Sequence, residues 1–175
     1  MAKELERLAM TIACEETAVE RYNRLYDELQ TLRRIEPAQR TKEHSDRYKA
    51  VSAELLAILA IAPEGYTLPK AAADLIAHAE AHGWKTMVQW THPGWEEEKY
   101  VMVRVGREVD EAEREQFRGD GWFYKLTWHS RGCAPGRLRL FGSGLAETPD
   151  NPATHDAPSV RRIRAIITEH RKVSR

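Results

Sequence analysis

The chain has 175 residues, 27 basic and 27 acidic side chains, and a strongly polar mean hydropathy of −0.62. Its longest unbroken apolar run, Leu55 to Ala62, falls well short of the about 20 residues a bilayer-spanning helix needs, and the charged Met-Ala-Lys-Glu-Leu-Glu-Arg start does not read as a secretory signal. Two cysteines, Cys14 and Cys133, have no CxxC or zinc-ligand spacing, so the expectation is a soluble cytoplasmic protein with free thiols and no structural metal.

All ten glycines and all five tryptophans follow residue 64, which divides the chain into a helical arm, 1–62, and a compact domain, 63–175. In the arm, Leu5, Leu8, Ile12, Glu15, Val19, Tyr22, Tyr26 and Leu29 recur at 3-4-3-4 spacing, the seam of a coiled coil, with Leu25 and Leu32 widening it. Tyr48, Val51, Leu55 and Ile58 repeat the pattern, and Pro37 breaks the chain between the two segments. The pattern predicts an antiparallel helical hairpin over 3–35 and 37–61. A seam of this kind must be covered, either by the other leg, by the compact domain, or by a second chain in a homodimer.

In the compact domain, Thr67-Leu68-Pro69 opens a helix with the apolar stripe Leu68, Ala72, Leu75, Ile76 and Ala79, and Gly83 ends it. Alternating runs predict strands over 84–91, 100–105, 122–129 and 137–141. Asp110 and Glu113 have capping-box spacing for a short helix to about Phe117. Residues 142–158, rich in Gly, Pro, Asp and Asn, read as a linker, and Asp156 and Pro158 open a last helix to about Lys172. Short connections favour antiparallel pairing, so the fold class is α+β: a helical hairpin followed by a four-stranded antiparallel sheet with helices on one face. No strand is followed by a phosphate-binding glycine loop, and no GxxxxGK[ST] or GxSxG motif occurs.

Alternation then sorts the strand residues into two faces. Trp84, Val88, Trp90, Val101, Val103, Val105, Trp122, Tyr124, Leu126, Trp128, Leu138 and Leu140 share an apolar face, whereas Lys85, Met87, Arg104, Phe123, Lys125, His129, Arg137, Arg139 and Phe141 share the other. Basic residues interleaved with aromatic rings suit nucleic acid, because cations neutralise phosphates and rings stack on unpaired bases. Arg161 and Arg162 in the last helix extend that set. The opposing reading is an ordinary solvated face, or one covered by the arm.

Two further clusters carry possible chemistry. His78 and His82 stand at i, i+4 on one helix, a metal-ligand spacing with two ligands only, so their expected role is at the helix C-terminus, where histidine interacts favourably with the dipole. His129 lies near Arg131, Arg137 and Arg139, a setting for general acid–base cleavage of RNA, with Ser130 and Cys133 nearby and no acidic triad partner in view. The leading expectation is a non-enzymatic interaction protein that binds nucleic acid through the sheet face and last helix, needing no cofactor, with the arm for docking or self-association. The alternatives are a small toxin-like ribonuclease using His129 and a protein-binding adaptor or inhibitor.

Overall fold

The computed structural model describes residues 16–94, 97–111, 113, 121–147 and 159–171. The chain forms two compact units, one containing the helices up to Ile58 together with His92–Gly94, the other beginning at Leu59.

The first helix, α1, spans Ala18–Arg34 and starts at Thr17, whose backbone is extended (φ −62°, ψ 158°). The Thr17 hydroxyl accepts from the Glu20 N–H at 3.2 Å, and the Glu20 carboxylate accepts from the Thr17 N–H at 2.9 Å. This reciprocal box satisfies two donors that would otherwise be orphaned. The expected first leg from residue 3 therefore does not run through as one helix. Its upstream seam residues, Leu5, Leu8, Ile12 and Glu15, lie outside the described residues, as does Cys14.

The second helix, α2 (Lys42–Leu59), follows a 3₁₀ turn over Pro37–Gln39. Thr41 and His44 cap it as Thr17 and Glu20 cap α1: the Thr41 N–H donates to His44 Nδ1 at 3.2 Å, and the His44 N–H to Thr41 Oγ1 at 3.3 Å. Arg40 secures the reversal by donating to the carbonyls of Ile35 (3.0 Å) and Arg33 (3.2 Å), which the end of α1 leaves without helical partners.

Leu25 and Leu29 meet Val51 and Leu55 in a buried cluster flanked by Tyr22, Leu32, Tyr48 and Ile58, so the two legs cover each other's seam in the same chain. The α2 side matches the sequence pattern. On α1 the seam is rotated by one residue: Leu25 is fully buried, and Tyr26 is 44% exposed. Leucine loses nothing by complete burial, whereas the tyrosine hydroxyl keeps its solvent. Arg47 forks onto Glu28 across the legs at 2.6 and 2.7 Å, and Arg21 reaches Glu54 at 3.1 Å. These half-exposed pairs set register and contribute little stability. Within the same unit the His92 ring meets Tyr22 edge-on, with centroids 4.0 Å apart.

The second unit begins its regular structure with α3, Lys70–Ala81. Pro69, not Thr67, occupies the N-cap position. Ala72, Leu75 and Ala79 are buried, with Leu68 and Ile76 packed against the same core. The helix ends as the sequence predicts: Gly83 adopts φ 76°, its N–H donates to Glu80 O, and the Trp84 N–H donates to Ala79 O. That pair of bonds forms a Schellman motif.

Four strands follow: β1 (Lys85–Trp90), β2 (Tyr100–Glu108), β3 (Gly121–His129) and β4 (Arg139–Glu147), in the order β1-β2-β3-β4 and antiparallel throughout. The last helix, α4 (Val160–Glu169), is capped by Ser159, whose hydroxyl accepts from the Arg162 N–H at 3.3 Å. Asp156 and Pro158, the expected start, lie outside the described residues, and the helix stops short of Lys172. Ile163 and Ile167 of α4 join the α3 residues over Val101, Val103, Val105, Trp122, Tyr124, Leu126 and Trp128, so both helices cover the face that alternation assigns to the core. No helix among the described residues is long and apolar enough to cross a membrane.

β1 and β3 match expectation to within one residue at each end, while β2 and β4 differ by more. The fourth strand runs over 139–147, not 137–141, and so takes in the first residues of the expected linker. Its glycines, Gly142 and Gly144, fall opposite Thr127 and Lys125, while Ser143 and Leu145 fall opposite Leu126 and Tyr124. Pairing with β3 overrides the weak strand preference of glycine. Leu140, expected on the apolar face, pairs with Trp128 but remains 41% exposed at this edge strand.

The second strand continues past Gly106 to Glu108, which puts Arg107 on the core face, 7% exposed. Its guanidinium lies over the Trp122 ring, 5.1 Å from the centroid, and forks onto Glu113 at 2.9 and 2.6 Å. Glu113 also closes the expected box with Asp110, through bonds of 3.0 Å in each direction. The helix expected beyond that box lies outside the described residues.

Two predictions follow from packing. Leu25→Ala is expected to destabilise the hairpin by about 2–5 kcal/mol and Tyr26→Ala by no more than about 0.5 kcal/mol, read from urea transitions in far-UV circular dichroism. Comparable losses would place the seam where strict 3-4 spacing has it. The second concerns Glu113, whose carboxyl the Arg107 guanidinium holds below its usual value of 4.5. A depressed carboxylate pKa contributes stability above the unfolded value and loses it as pH falls through the folded one. Glu113→Gln should therefore destabilise the protein at neutral pH and flatten its loss of stability in acid. Glu113→Ala, which strands a buried guanidinium, should cost about 3 kcal/mol or more, and Arg107→Met distinctly less.

Candidate nucleic-acid interface

The same register that builds the core composes the opposite face of the sheet. Across β1, β2, β3 and β4 its rows read Lys85, Gly106, Phe123, Glu147; then Met87, Arg104, Lys125, Gly144; then Gln89, Met102, Thr127, Gly142. A final row pairs Tyr100, His129 and Arg139. Lys85, Arg104, Lys125 and Arg139 are all exposed there, as are Met87 and Phe141.

Arg104 and Lys125 are directly opposed Cα partners on the two central strands. Like charges in that position repel, and neither makes an ion pair among the described residues. Lys85 differs, lying 3.2 Å from Glu108 on the same face. The centre of the open face thus carries two adjacent cations that make no ion pair among the described residues.

Beside them the Phe123 ring reaches across β2. A Cβ placed on Gly106 would stand 2.6 Å from Phe123 Cδ1 and 3.0 Å from Cε1, so the ring occupies the space a side chain would take. Gly106 is buried although its position faces the open side.

His129 stands at the end of β3 between aromatic rings, 6.0 Å from Tyr100 and 5.5 Å from Phe141. Its Nδ1 accepts from the Arg131 N–H at 3.1 Å, which fixes the tautomer and leaves Nε2 to donate to Glu98 at 3.2 Å. Glu98 also takes Arg131 Nε at 2.6 Å, and that guanidinium, with His129 as a smaller contributor, holds its carboxyl below the ordinary range. Both imidazole nitrogens are therefore engaged within the protein. Ser130 is committed as well, its hydroxyl accepting from the Lys99 N–H at 2.9 Å.

The structure does not unite all the sequence-predicted site residues. Lys85, Arg104, Phe123, Lys125, His129 and Arg139 share the open face. Arg137 lies outside β4, in a turn where its N–H donates to Ala134 O at 3.0 Å. Arg161 and Arg162 are exposed on α4, the helix that covers the other face, so the thickness of the sheet separates them from Arg104 and Lys125.

His78 and His82 stack with centroids 4.3 Å apart, and each has a structural partner. His78 Nε2 lies 3.1 Å from the Arg164 carbonyl and 3.0 Å from Thr168 Oγ1, joining α3 to α4, and burial lowers its pKa. His82 Nδ1 donates to the His78 carbonyl at 2.7 Å. Among the described residues no group of three or more His, Cys, Asp or Glu is placed to hold a metal ion.

Sequence reasoning missed Glu98, which falls in the acidic run 96–98 and reads there as a solvated hairpin tip. It also missed the role of Gly106, whose signal was a glycine in mid-alternation, the usual mark of a close approach. No protein-family model, no curated protein and no solved structure matches this chain.

Proposed function

We propose that this is a cytoplasmic protein that binds nucleic acid through the open face of its sheet and performs no chemistry on it. The observation that carries the reading is the direct opposition of Arg104 and Lys125 at the centre of that face, with no ion pair to either among the described residues. Mutual repulsion between such neighbours is relieved by an anion, and a phosphate backbone offers anions at regular spacing. Phe123, Met87 and Phe141 supply apolar and aromatic surface around the cations. The engagement of His129 on Glu98 and the Arg131 amide favours a positioning role over general acid–base catalysis, which needs a ring nitrogen turned to the substrate. The hairpin fills its own seam, so the proposal assigns the ligand to the sheet.

Binding of a labelled oligonucleotide, followed by anisotropy, should weaken with salt at a log–log slope of about −0.7 to −0.9 per phosphate contacted. Arg104→Glu with Lys125→Glu should make that slope shallower by about 1.5 and weaken binding severely, while Arg161→Glu with Arg162→Glu leaves both nearly unchanged. A flat salt response, or no binding at low salt, would sink the reading.

A further inference from the structure

We infer that the nucleic acid is single-stranded and that an unpaired base stacks on the Phe123 ring; the inference rests on the nucleic-acid reading of the open face. The Cδ1–Cε1 edge of the ring lies over Gly106 of β2, and the side chain is half-buried on the open side of the sheet. Glycine is what permits this posture, since a Cβ at 106 would lift the ring. A ring held against Gly106 has given up part of its rotamer freedom before any ligand arrives, so stacking on it costs less further ordering.

Cations flank that ring on β1, β2 and β3, while Glu147 stands opposite it on β4 and Lys85 is paired with Glu108. Lys125 lies two residues along the same strand, Arg104 two residues from Gly106 on the neighbouring strand, and Lys85 opposite Gly106 on the next. A base seated on Phe123 brings its own flanking phosphates to Arg104 and Lys125. A duplex keeps its base faces stacked inside and presents only edges and phosphates, so it meets the cations and leaves the ring unused. Stacking is tolerant of base identity, because every base has a π-face, so the expected preference is for single strands over duplex and not for one sequence.

The test compares a labelled oligothymidine, an abasic oligomer of equal length and charge, and a duplex. The wild-type protein should hold oligothymidine most tightly. Phe123→Leu keeps Gly106 covered but removes the π-face; it should weaken oligothymidine binding about five- to a hundredfold, leave the abasic oligomer unchanged, and preserve the salt slope. Gly106→Ala removes neither a charge nor a ring and should reproduce that loss by lifting Phe123, while Phe123→Trp retains binding. If oligothymidine binds but Phe123→Leu has no effect, or weakens the abasic oligomer equally, the stacking inference is overturned and the phosphate-binding face stands. If none of the three ligands binds at low salt, both fall together.

Discussion

The register between β2 and β3 is the constraint on which the compact unit depends. It sets Val101, Val103 and Val105 against Trp128, Leu126 and Tyr124 on one side and, by the two-residue period of a strand, Arg104 against Lys125 on the other. A slip of one residue would exchange the faces, exposing the valines and burying the cations. The magnitudes decide which side governs. Burying each large apolar side chain stabilises by about 1.5–3 kcal/mol, whereas a directly opposed like-charge pair in water disfavours the arrangement by no more than about 1 kcal/mol. The core fixes the register, and the repulsion on the open face is the tolerated consequence. Under the proposed reading, a fold that holds two cations together by packing elsewhere would offer them to an anion without any contact devoted to it.

Arg107 is the exception to the alternation and shows what the core accepts. A charged residue at an apolar position is tolerated because Trp122 covers its plane and Glu113 takes both terminal nitrogens. Trp122 is itself stacked on His170, with centroids 4.6 Å apart, and the His170 carbonyl accepts from Trp84 Nε1 at 3.3 Å. One stack therefore ties the acidic segment after β2 to the C-terminal end of α4. The tryptophans act here as walls and clamps of the interior, and Trp84, Trp90, Trp122 and Trp128 all belong to the core.

Much of this was legible in the sequence where a short physical rule governs. Strand alternation gave both faces, Gly83 gave the end of α3, and Asp110 with Glu113 gave the reciprocal box. The failures have equally specific causes. Thr17-Ala-Val-Glu20 carries a capping signal, but an apolar spacing that continues through it suggests an unbroken helix. Leu25 and Tyr26 both fit a helical stripe, and only packing against Val51 and Leu55 shows which one turns inward. Gly142 and Gly144 look like linker residues until β3 supplies a partner. The composition of the open face was legible from alternation, whereas the place of Arg161 and Arg162 was not, because helix charge says nothing about which side of the sheet the helix covers. Glu98 and His129 lie 31 residues apart, and only the pairing of β2 with β3 brings them together.

On the proposed reading the two faces of one sheet serve different ends, packing on one and polyanion binding on the other. The most direct measurement is a map of backbone amide chemical shifts in the full chain as an oligothymidine is titrated in. The account predicts that the perturbed amides cluster around Lys85, Arg104, Gly106, Phe123 and Lys125, with those of α4 left in place. Perturbations concentrated at Arg161 and Arg162, or on the hairpin with the sheet silent, would contradict it.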